Sequence, residues 1–206
     1  MGRQNGLREK CQVSESIENR FYEDVKQIND EMPAAYRQKR FEEVEAKLLN
    51  ILAISNGTEQ RLCALDMLVN HYHLVGKMQL ALNAIHERIS AAPQQVEGLL
   101  GLAEHFHYYE VDLARAAKYI EAALQEGFAQ GEFVRQVLGV RIRIALARKD
   151  YSIVKESIAM LLDYRPTPGK IDVALEQDFV SEIPAGVVDS EVLNRYVALA
   201  SKGGRN

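Results

Sequence analysis

Four of the chain's five histidines stand in two short clusters, His71-Tyr72-His73 and His105-Phe106-His107, and the second runs on into Tyr108 and Tyr109. Imidazoles are the side chains best suited to ligate a metal or to move protons near neutral pH. A metal pair on one helix needs ligands three or four residues apart, however, and residues two apart point roughly 200° away from each other. Neither cluster can chelate alone; only a pairing across two helices, such as His73 with His105, would serve. No metal site is expected. The clusters read either as a polar, aromatic lining of a binding groove or as large rings packed between helices.

The other charged clusters are no more catalytic. Glu42-Glu43 with Glu45, and Glu18 with Glu23-Asp24, fall on the polar sides of amphipathic helices and read as solvated surface. Arg135, Arg141, Arg143 and Arg148 form the one concentrated basic stretch, spread around a single helix. Arg143 is the member expected to face a groove and hold an acidic residue or terminus of a partner; the competing reading is a surface ion pair. Gly98 and Gly101 are not a phosphate loop, because no strand precedes them and no Lys-Ser or Lys-Thr follows. No cofactor is implied. The chain is expected to be a binding protein rather than an enzyme, with a histidine- or metal-dependent hydrolase as the reading from the opposite class.

The elements that must position these residues are helices. Of 206 residues, 47% are apolar and 26% charged, with no Trp and five Pro, a composition that suits a globular helical chain. The formal net charge of -4 argues against a nucleic-acid partner and suits a neutral or basic protein or peptide. Cys11 and Cys63 lie in unrelated segments, which suggests two free thiols in a reducing compartment. The polar first ten residues contain no apolar leader, and no later run reaches membrane-spanning length, so a cytoplasmic setting without membrane contact is expected. Gly2 is not read as a myristoylation site, because Gly6 stands where Ser or Thr is wanted.

A pattern of apolar and small residues returns four times at a spacing of roughly 35 to 38 residues, each return reading as two antiparallel helices. The clearest copy has Leu65, Leu68, Val69 and Tyr72 on a first helix, a break at Gly76, and Met78, Ala81, Ile85 and Arg88 on a second, closed by Pro93. The copy before it carries Ile17, Phe21, Val25, Ile28 and Met32 after a cap at Ser14 or Ser16. A break or kink is expected near Glu31 to Ala34, around Pro33, and then come Phe41, Val44, Leu48, Ile51 and Leu52 until Asn56-Gly57. The third pairs residues 99–103 with a helix of small residues capped by Asp112 and stopped at Gly127. The fourth carries Leu138, Ile142, Ala145 and Leu146, turns at Lys149-Asp150, and continues through Tyr151, Val154, Ile158, Leu161 and Leu162 until Pro166 and Pro168.

These units predict one continuous all-α stack over residues 14–168, preceded by a flexible tail at 1–13. Residues 169–200 are expected to cap it, with a short helix at Ile171, Ala174 and Leu175 and a last helix capped by Asp189; the alternative is that this segment occupies the groove. Residues 201–206 read as a polar tail. An uncapped end would allow self-association through the ends of the stack.

On Leu68, Val69, Tyr72, Gly76, Ala81, Ile85 and Pro93, the second copy resembles a tetratricopeptide (TPR) repeat; the third, on Ala116, Tyr119, Ala122, Ala123 and Gly127, is similar to the related Sel1-like repeat. The resemblance covers about residues 25–168. It departs at Arg88, where the family usually has Ala, and at Pro33. The resemblance implies a right-handed superhelix of about four helix pairs whose first helices line a concave groove for a peptide or partner helix. The groove residues it implies are Lys26, Asn29, Tyr36 and Arg37, then Asp66, Asn70 and His73, then His105, Tyr108 and Tyr109, then Gln136 and Arg143. The Lys and Asn pattern with which chaperone-docking members clamp a terminal carboxylate is missing. An assembly or secretion chaperone that shields one client segment is the second reading of the same class.

Overall fold

The structure, a computed structural model, describes residues 3–173 and 177–203, with side chains from 20 to 201 outside that gap. Every regular element among them is helical. They are α1 (Arg3–Arg37), α2 (Phe41–Ile54), α3 (Thr58–Leu74), α4 (Met78–Ala91), α5 (Val96–Glu104), α6 (Leu113–Gln130), α7 (Val134–Arg148), α8 (Tyr151–Asp163) and α9 (Ser190–Gly203). A π turn, His105–Tyr109, follows α5, and a 3-10 turn, Asp178–Glu182, precedes α9. No helix among the described residues is long and apolar enough to cross a membrane.

The chain divides by compactness into two units, Met1–Pro93 and Gln94–Asn206.

In the first unit, α1 packs on α2, α2 on α3 and α3 on α4. Phe21, Ile28 and Ala35 on α1 meet Val44, Leu48 and Ile51 on α2, and Ala64, Leu68 and Tyr72 close the core from α3. Two expectations are corrected here. The backbone is helical from Arg3, so the start expected at Ser14 or Ser16 and the tail over 1–13 are replaced by one long helix. Nor does α1 break at Pro33: it runs to Arg37 and turns through Lys39, which sits at φ 58°. Pro33 and Asn29, whose carbonyl the proline cannot bond, are both exposed, so water reaches the freed oxygen while Met32, Ala35 and Tyr36 stay packed.

The second unit pairs α5 with α6, α6 with α7 and α7 with α8; the 3-10 turn rests on α7, and α9 packs on α8. Local signals set its ends. Asp112 caps α6 by accepting from the Arg115 amide at 3.0 Å, and Asp150 caps α8. Asp189 accepts from the Glu191 amide at 2.7 Å, as its place before α9 predicts. Gly127 does not stop α6. The helix runs to Gln130 and ends at Gly131 in the left-handed region at φ 69°. A Cβ at Gly127 would lie 3.1 Å from the Glu132 carbonyl, a tight approach as the chain reverses. Of the short helix expected near Ile171, Ala174 and Leu175 lie outside the described residues, as do residues 204–206 of the expected tail.

Candidate binding face

The ring-rich run His105–Tyr109 folds as a π turn, a widened helical turn often found at functional sites. It divides its rings sharply. His105 and Phe106 point inward, 0% and 3% exposed, whereas Tyr108 and Tyr109 stand out at 48% and 43%. Phe106 stacks on Tyr119 of α6 with ring centroids 5.6 Å apart and lies under the Arg115 guanidinium. His105 Nε2 lies 3.0 Å from Glu110 Oε1. The turn closes through Val111 at φ 56°, a strained setting for a β-branched residue, and the Asp112 amide donates to the Phe106 carbonyl at 2.8 Å.

His107 sits between the two sets, its ring 4.3 Å from that of Tyr108 and its Nδ1 buried with no hydrogen-bond partner. Burial first, and then the Arg143 charge, hold its pKa below the ordinary histidine value, with Glu182 pulling the other way. Arg143 reaches the same place from α7, where its Nη2 donates to both carboxylate oxygens of Asp178 at 2.7 Å. Between these groups lies a cavity of about 560 Å³. His107 and Tyr108 wall it from the π turn, Arg143, Leu146 and Ala147 from α7, and Asp178 and Glu182 from the 3-10 turn. Glu182 itself makes no hydrogen bond or ion pair among the described residues.

In the first unit the expected residues meet different fates. Tyr36 turns inward and its hydroxyl lies 2.8 Å from His71 Nδ1. Asp66, its side chain about half exposed, accepts from the Nε of the buried Arg88 at 2.6 Å. This also explains the arginine that departs from the repeat pattern: the stem packs inside while Asp66 meets the charge. Asn70 and Arg37 are exposed and His73 is half-buried on α3. Lys26 and Asn29 are exposed on α1, and Gln136 is half-buried on α7.

No family model matches the chain, and no curated protein or solved structure matches it. The functional reading therefore stands on the geometry of these side chains. Tyr108 and Arg143 are the expected residues brought together, and Tyr109 adjoins them in sequence. His105 is removed from the lining set, because its side chain is fully buried, whereas His107, two residues on, lines the cavity. Among the described residues no group of three or more His, Cys, Asp or Glu side chains converges on one point. The charged cavity residues that sequence reasoning missed are Asp178 and Glu182; His107 was singled out only with its cluster.

His71 gives a measurable pH dependence. Its side chain is fully buried, with Nε2 unpaired and 4.0 Å from Glu45. Burial lowers its pKa; Glu45 opposes this and Lys77 assists it. The folded chain then binds fewer protons at this site than the unfolded chain, so its stability is present above the ordinary histidine pKa and is lost as pH falls below it. Denaturant unfolding of wild type is expected to weaken between about pH 7.5 and pH 5.5. His71→Phe with Tyr36→Phe should flatten that dependence.

Proposed function

We propose that this chain is a non-enzymatic, cytoplasmic protein-binding module that takes a peptide or partner helix on the first helices of its helical hairpins. The right-handed superhelix implied by the TPR-like spacing belongs to the same proposal. The observation that carries it is the pair Tyr108 and Tyr109, held half-exposed by a strained turn beside the Arg143 cavity. Rings fixed by a rigid scaffold supply contact area with little ordering cost, which is what an interface anchor requires. Their neighbours His105 and Phe106 are buried, which supports a turn held from inside.

Tyr108→Ala is expected to weaken the affinity for the natural partner by about 2 kcal/mol while shifting unfolding free energy by less than about 0.5 kcal/mol. Partners captured from the native cell on wild type and on the variant, identified by mass spectrometry and then titrated, provide the measurement. Equal retention by both forms, or collapse of the variant's fold, would remove the anchor role.

A further inference from the structure

We propose that the cavity between the π turn, α7 and the 3-10 turn receives a cationic side chain, a lysine or arginine carried by a basic peptide. This rests on the binding reading above and names the partner's chemistry. Arg143 is matched by Asp178, so Glu182 leaves the cavity with one carboxylate more than it has guanidinium groups. His107 adds no compensating positive charge near neutral pH, since burial and Arg143 both disfavour its protonation. Asp178 remains reachable at 72% side-chain exposure. A carboxylate offers about four acceptor sites, and that of Asp178 accepts from the Arg143 Nη2 and the Phe179 amide, so it can be shared with a second cation.

The walls suit the stem as the acids suit the head. Leu146 and Ala147 give a methylene chain an apolar surface, and the half-exposed ring of Tyr108 offers its face to an ammonium or guanidinium group. An acidic guest would have to displace Asp178 from Arg143 and would still face Glu182. The chain's net charge of -4 favours approach of a basic segment as well.

The test uses full-length protein and two fluorescein-labelled peptides of equal length, one alternating Arg with Leu and one alternating Glu with Leu, read by fluorescence anisotropy. The Arg–Leu peptide should bind wild type, and Glu182→Gln, which breaks no tie in the fold, should weaken it roughly tenfold. Tyr108→Ala should weaken it too. Glu42→Gln with Glu59→Gln, which removes two acids that do not line the cavity, should leave affinity within about twofold. Equal affinity of wild type and Glu182→Gln overturns the assignment, and so does equal weakening by the control pair. Preference for the Glu–Leu peptide, lost on Arg143→Gln, sinks the cation while leaving the binding reading intact. Failure of both peptides to bind any form sinks both.

Discussion

Changing Glu121 and Glu156 together to glutamine is expected to destabilise the unit formed by residues 94–206 by about 2 to 3 kcal/mol, whereas Arg141→Met costs about 1 kcal/mol or less. The asymmetry follows from where the charges sit. The Arg141 side chain is 6% exposed, with its Nε donating to Glu121 at 2.7 Å, one Nη to Glu156 at 3.0 Å and the other to Ser157 at 2.9 Å. Burial alone would lower its pKa, but the two glutamates outweigh burial and the net direction is upward. Arginine cannot shed its proton in a protein, so neutralising both acids leaves a cation among α6, α7 and α8 with only Ser157 and neutral amides to meet it. Removing the arginine instead frees two acids that are already about half exposed and rehydrate readily. Methionine keeps the stem's volume, and Ser157 still donates to the Ile153 carbonyl at 2.7 Å. The chain has no Trp, so chemical unfolding followed by circular dichroism is the suitable measurement. A milder loss from the double glutamine change than from Arg141→Met would show that packing, not charge, holds this cluster.

What was legible in the sequence is what short-range chemistry decides. Gly76 ends its helix at a positive φ of 77°, Lys149 and Asp150 make the turn between α7 and α8, and Asp112 and Asp189 cap the helices after them. Pro33 misled because its penalty is local while its compensation is not: Phe21, Ile28 and Ala35 hold α1 against α2 on the face away from the ring. Gly127 and Gly131 are four apart, and either could end a helix; the close approach of Glu132 to the first exists only in three dimensions. The site was half legible for the same reason. Tyr108 and Arg143 could be singled out by type and by place in a repeat. Place in a repeat did not separate His105, which is buried, from His107, which stands two residues on and lines the cavity. Asp178 and Glu182 lie in a segment without helical period, where no pattern announces a face.

Phe179→Ala should be the more damaging test of the C-terminal segment, costing about 3 to 5 kcal/mol and loosening residues 178–201. Phe179 is 0% exposed, its ring lies 5.6 Å from that of the equally buried Tyr196 on α9, and Ile183 and Val188 are buried with them. Asp178→Asn, one residue away, removes the more visible link to α7 yet should cost less than about 1 kcal/mol, because that pair is open to water on the aspartate side. Hydrogen exchange read by mass spectrometry separates the two contributions: in Phe179→Ala the amides of the 3-10 turn and α9 should exchange well before those of α5 and α6, whereas Asp178→Asn should leave the profile close to wild type. The reverse ranking would mean that the Arg143–Asp178 pair fastens this segment. The cavity would then depend on a single salt-sensitive link, and raising ionic strength would loosen its third wall. With the apolar contact dominant, that wall stays in place and Asp178 remains positioned to share its carboxylate.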